Sequence, residues 1–160
     1  MDSQRVFLAD AAATATLGQT LAARWLALPA EQRPILLLEG DLGAGKTSLV
    51  QGIAAALGID EPVTSPSFAL AQHYRGHHAA AGTTVLVHLD LYRLEQPAAA
   101  DELFAQEEEE ALAEGALLAV EWPSRLSFVP AGAWRLELAL ADGANPEAGR
   151  LAQLLITPAD

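Results

Sequence analysis

Ile35–Gly58 reads ILLLEGDLGAGKTSLVQGIAAALG, and its three parts decide the fold. The apolar run Ile35 to Leu38 has the composition of a buried parallel strand. Gly40-Asp41-Leu42-Gly43-Ala44-Gly45-Lys46-Thr47 matches G-x-x-x-x-G-K-S/T in full. A helical pattern follows, with Leu49, Ile53 and Leu57 on one face and Gly58 where a glycine closes a helix. Glycines let the backbone curl until successive N–H groups point at one anion, and the helix adds the positive end of its dipole. In that context Lys46 is expected to reach the β- and γ-phosphates of a nucleotide, and the Thr47 hydroxyl to bind Mg²⁺. Lys46 is the only lysine in the chain; every other basic side chain is arginine. A compact ammonium has been kept where phosphate binding suits a point charge.

Working outward, 160 residues with 51% hydrophobic and 19% charged content suit a single globular domain spanning 1–160. There are no cysteines, which excludes disulfides and cysteine-based zinc sites. The start, MDSQRVFLADAAA, lacks a basic region followed by a long apolar one, and no apolar stretch is long enough to cross a bilayer. A cytoplasmic location is the default expectation. The net charge of −12 repels nucleic acids and anionic membranes, so any RNA or DNA would be held by a partner.

On the N-terminal side, Val6 to Leu8 reads as a short strand. Asp10 reads as the cap of a helix to about Leu28, with Leu17, Leu21, Trp25 and Leu28 along one face. On the other side comes Val63-Thr64-Ser65-Pro66-Ser67-Phe68. Its hydroxyls either sense a γ-phosphate, as a switch segment would, or form an ordinary turn, which the local sequence favours. His73, His77 and His78 lie in or beside a loop expected at Arg75 to Gly82, where solvated histidines are the simpler reading. Thr84 to Tyr92 is a core strand ending in an acid, the Walker B pattern. Asp90 then assists Mg²⁺ or positions water, or else it pairs with Arg93.

Gln96 to Gly115 reads as a helix whose acidic run, Glu107 to Glu110, forms a solvated face. Ala116 to Val120 is another core strand, ended by Glu121-Trp122-Pro123. Glu121 parallels Asp90, an acid at a strand terminus facing the ligand crevice. Trp122 either covers the nucleotide or packs in the core. Trp134 to Leu140 alternates, and Arg150 to Thr157 is a further strand, which together suggest an antiparallel pair at the sheet edge. The expectation is an α/β P-loop NTPase: a three-layer sandwich with a mainly parallel central sheet and an antiparallel C-terminal edge.

GDLGAGKTSLVQGIAAALG, VTSPSFAL, HLDLYRL and LLAVEWPSRL, in this order, resemble the TsaE (YjeE) family. That family is the ATPase component of the machinery that makes threonylcarbamoyladenosine beside the anticodon of tRNA. The resemblance implies a cytoplasmic, Mg²⁺-dependent ATPase, weak alone and stimulated by partners. It implies that Asp41 and Gly43 to Ser48, that is Gly43, Ala44, Gly45, Lys46, Thr47 and Ser48, hold ATP. Thr64, Ser65 and Trp122 complete the nucleotide site, and Thr47 and Glu121 bind Mg²⁺. Lys46, Asp90 and Glu121 serve catalysis. The late Gly149-Arg150 pair also has a family counterpart. The implied partners are the threonylcarbamoyl-transferring enzyme and its non-catalytic paralogue, with tRNA met through them. The chain departs from the family where a Gly-hydrophobic-acidic pattern is usual, since Asp101 to Glu107 contains no glycine.

Two rival readings of the residues remain: a small-molecule kinase, which lacks support from any arginine-rich lid segment, and a nucleotide-gated binding module with negligible turnover. The missing Asn-Lys-x-Asp guanine-reading motif argues against a GTPase, since the one lysine is already used.

Overall fold

The computed structural model describes residues 5–41, 43–64 and 70–157. The chain forms β1 (Arg5–Leu8), α1 (Ala11–Ala27), β2 (Leu36–Glu39), α2 (Lys46–Ala56), β3 (Ala71–His78) and β4 (Gly82–Asp90). It continues with α3 (Pro97–Glu114), β5 (Leu117–Glu121), β6 (Trp134–Leu140) and β7 (Arg150–Ile156). Local chemistry sets several of these ends. The Asp10 carboxylate accepts a hydrogen bond from the Ala13 amide at 2.9 Å and caps α1. Pro97 opens α3 and Gly115, left-handed at φ 66°, closes it.

All seven strands join one sheet in the order β1-β7-β6-β2-β5-β4-β3. The four central strands β6, β2, β5 and β4 run parallel. The antiparallel β6–β7 pair expected at the C-terminal side is present. β1 then adds antiparallel to β7 and forms the actual edge. The other edge is antiparallel too, because β3 and β4 form a hairpin from Ala71–Leu89 to His78–Gly82. The strand therefore runs through His73, His77 and most of the expected loop.

Strand alternation divides the core. Leu36, Leu38, Leu86, Leu117 and Ala119 pack with Leu21 and Trp25 of α1 and Leu49, Val50 and Ile53 of α2. Leu37, Val85, Val87, Leu89, Leu118 and Val120 face the opposite way, against Ala100, Phe104 and Ala111 of α3. The result is the three-layer α/β sandwich. α1 and α2 approach closely: a Cβ on Gly52 would lie 1.9 Å from the Ala15 carbonyl oxygen, and one on Gly18 would lie 2.2 Å from that of Leu49.

The acidic run on α3 is not wholly solvated. Glu107 takes a core-facing position in the stripe Ala100, Phe104, Glu107, Ala111 and is buried. Its carboxylate meets His73 Nε2 at 2.7 Å, which also gives that histidine a partner. A buried acid needs such a partner, and the hairpin strand β3 supplies it. Among the described residues, no helix is long and apolar enough to cross a membrane.

Candidate nucleotide site

The site lies where β2, β4 and β5 end side by side, the position at which open parallel sheets bind ligands. β2 ends at Glu39, and the chain turns through the glycine-rich loop into α2. Gly43 and Gly45 adopt φ of 85° and 103°, a region that favours glycine. The first turn of α2 carries no acid, and its cap residue, Gly45, has no side chain to satisfy the free N–H groups. Those donors and the helix dipole are therefore left for an anion.

Lys46 sits at the head of α2 and is only 5% exposed. Its ammonium donates to the Gly40 carbonyl at 2.5 Å, stands 3.8 Å from Glu121 Oε1, and lies 4.4 Å from the centre of the Trp122 ring. Burial lowers its pKa, while the carboxylates of Glu121, Asp90 and Asp41 oppose that shift. Asp90 and Glu121 are register partners at the ends of β4 and β5. Burial raises the Asp90 pKa against the hydrogen bond it accepts from the Tyr92 amide, and the neighbouring Glu121 charge raises it further. No ion pair joins Asp90 to Arg93 among the described residues. His88, fully buried on β4, meets Glu121 Oε2 at 2.5 Å.

Trp122 follows β5 in a left-handed conformation, φ 58° and ψ 50°, which bulky residues adopt only under constraint. The ring stands against Tyr92, with centroids 4.8 Å apart, and over Lys46. The far wall comes from β7. Arg150 reaches back to the loop and donates to the Gly43 carbonyl through Nε at 3.2 Å and Nη2 at 2.9 Å. Its Nη1 donates to the Pro146 and Gly149 carbonyls.

These walls enclose a cleft of 540 Å³, within the range of small-molecule sites. Gly43, Gly45, Lys46, Thr47, Ser48, Asp90, Glu121 and Trp122 all line it, as do Asp10, Thr14 and Arg150. Three other expected contacts are not on its wall: Asp41 and Thr64 are exposed, and Ala44 is buried. Ser65, Ser67 and Phe68 lie outside the described residues. Hard oxygen donors from Thr47, Asp90 and Glu121 converge on the cleft, a donor set that suits Mg²⁺.

Sequence reasoning passed over His88 and the contribution of α1. A signal for His88 was present: alternation in Leu86-Val87-His88-Leu89-Asp90 puts a lone polar ring on the same strand face as Asp90. Nothing local pointed to Asp10 or Thr14, which reach the cleft only through the packing of α1 on α2.

Comparison with known proteins gives the family and the fold. The family described as threonylcarbamoyl adenosine biosynthesis protein TsaE matches residues 8–148. A "tRNA threonylcarbamoyladenosine biosynthesis protein TsaE" from Synechocystis sp. is 43% identical over 135 residues, which cover 81% of this chain and 76% of that protein. A protein of the same name from Nostoc sp. is 41% identical over 127 residues, covering 79% and 72%. The solved structure "Crystal structure of Bacillus subtilus YdiB" superposes with a TM-score of 0.64 at 23% identity, covering 96% of this chain and 86% of that one, and shares the fold.

Proposed function

We infer the function from family membership: this chain belongs to the TsaE family. It is proposed to bind and hydrolyse ATP as the subunit that threonylcarbamoyladenosine modification of tRNA requires. Hydrolysis resets the transferase complex between rounds, and the partners, not this acidic chain, hold the tRNA. The observation that carries the reading is the convergence of Lys46, Asp90 and Glu121 on one cleft above a glycine loop whose amides lack side-chain caps.

Each residue has a task that its surroundings suit. The loop and first-turn amides hold the phosphates, with Lys46 exchanging the Gly40 carbonyl and Glu121 for phosphate oxygens. Thr47 and Glu121 would hold Mg²⁺, which supplies charge neutralisation on the phosphate oxygens. Asp90 is suited to orient the attacking water and accept its proton, because burial raises its proton affinity above that of an ordinary carboxylate. Arg150 is a second cation on the wall, and its partners are carbonyls rather than acids. Its guanidinium is free to turn from Gly43 toward phosphate oxygens and stabilise charge there. The Trp122 ring lies against the Lys46 ammonium and can stabilise its charge.

The test is a reconstituted modification reaction containing the transferring enzyme, its non-catalytic paralogue and excess tRNA. With Lys46→Ala, modification should stop after about one round per complex. Complete modification of the excess tRNA by that variant would remove hydrolysis from the account.

A further inference from the structure

His88 is an expensive residue for its position. It stands two residues from the end of β4, among Leu86, Val87 and Leu89, fully buried, where an aliphatic side chain would pack without polar cost. Its Nδ1 is buried with no hydrogen-bond partner among the described residues. Among the described residues, the ring's one polar contact is Nε2 to Glu121 Oε2 at 2.5 Å. Register explains the meeting: His88 pairs with Ala119, so Glu121, two residues on and on the same face of β5, is its diagonal neighbour. An ionised carboxylate only accepts, so Nε2 carries the proton and donates.

The bond divides the two oxygens of Glu121. Oε2 is held by the ring, and Oε1 is left 3.8 Å from Lys46, which lines the cleft. Without the ring, nothing among the described contacts stops the carboxylate from turning both oxygens onto the ammonium, the nearest cation. That pairing would take away the oxygen meant for a metal ion. We propose that His88 is a positioning residue: by fixing Glu121 Oε2 it presents Oε1, one oxygen only, to the divalent cation bound with the nucleotide. The inference rests on the nucleotide reading of the cleft given above. Partners that orient metal ligands in this way commonly change metal affinity by about 10- to 100-fold when removed.

The experiment follows Mn²⁺ binding to the ADP complex by electron paramagnetic resonance, and ADP binding in EDTA by calorimetry. His88→Leu, which fills the strand position but cannot donate, should weaken Mn²⁺ binding by about 10-fold or more. It should leave metal-free ADP binding unchanged, because Lys46 and the loop amides are intact. His88→Gln, whose amide nitrogen can stand where Nε2 stood, should recover most of the Mn²⁺ affinity. Wild-type Mn²⁺ affinity in the leucine variant, or a glutamine variant as weak as leucine, overturns the proposal. So does a parallel loss of metal-free ADP binding, which would mark His88 as merely structural. Should His88→Leu fail to fold, nitrogen NMR of the wild-type ring decides instead. A proton on Nε2, kept when ADP and Mg²⁺ bind, supports the role, and a proton on Nδ1 alone overturns it. A wild-type chain that binds no ADP sinks the nucleotide reading and this inference together. Normal binding by the wild type with no change in His88→Leu sinks this inference alone.

Discussion

Gly52→Ala puts two effects of opposite sign in competition inside α2. Alanine is the better helix former by about 1 kcal/mol, so propensity alone favours the variant. Packing opposes it: the new Cβ would lie 1.9 Å from the Ala15 carbonyl oxygen, 2.6 Å from its carbon and 2.8 Å from its Cα. All three atoms are helix backbone, so no flexible side-chain end can give way. Reaching an ordinary contact requires α1 and α2 to separate by roughly 1.5 Å, and forced overpacking of a core commonly costs about 1–3 kcal/mol. We expect the clash to win, with thermal unfolding lowered by several degrees, at about 2–4 °C per kcal/mol for a chain of this size.

The loss should reach function as well. α2 carries Lys46 and Thr47 at its head, and α1 brings Asp10 and Thr14 to the same cleft. A misplacement on the order of 1 Å can reduce turnover by about 100-fold. Differential scanning calorimetry and ATP turnover measure the two consequences. Gly143→Ala, where an added Cβ meets nothing within 4 Å, serves as the control. A higher melting temperature for Gly52→Ala, with turnover unchanged, would refute the reasoning, since helix propensity would then have outweighed the close crossing.

Asp90→Asn should lower turnover by about 10²- to 10⁴-fold, the usual worth of a positioned acid or base, while ADP binding persists. The same variant gives a pH test. Burial raises the Asp90 pKa above its ordinary 3.8, so the folded state holds this proton more tightly than the unfolded chain does. That stability is fully present below 3.8 and is lost as pH rises through the folded value. The ligand-free Asp90→Asn variant should therefore melt above wild type at neutral pH, with the gap closing on acidification toward 3.8; a gap that widens contradicts the assignment. Arg150→Ala should weaken ATP more than ADP, by roughly 10- to 100-fold if charged hydrogen bonds to phosphate are lost. Arg150→Lys should not restore the affinity, because a point charge cannot reproduce the guanidinium fork; equal loss for both nucleotides would mark Arg150 as only a loop support. Asp10→Ala removes the cap of α1 and should cost about 1 kcal/mol in urea unfolding, against no change if the Ala13 contact is idle.

Much of this molecule was legible because its signals are local. The glycine loop, the helix after it and the acids ending β4 and β5 are written in consecutive residues. α3 likewise announces its ends through Pro97 and Gly115. What escaped depends on contacts between distant segments. Arg150 meets the Gly43 carbonyl across more than a hundred residues, because β7 lies beside β6 and β6 beside β2. Glu107 reads as one of four consecutive solvated acids until β3 brings His73 against it. Likewise β1 becomes the edge strand only through pairing with the far end of the chain. Hydrophobic periodicity says which face is buried, not which distant strand covers it.

The central claim is that the cleft hydrolyses ATP in the service of a partner complex. Its most direct test is ATP hydrolysis by the purified chain, alone and with the transferring enzyme and its paralogue, with Lys46→Ala as the blank. The account predicts slow Mg²⁺-dependent turnover alone, strong stimulation by the two partners together, and neither in the blank. Turnover that is equal with and without the partners, or absent in both, would contradict it and leave a nucleotide-binding P-loop domain whose output lies elsewhere.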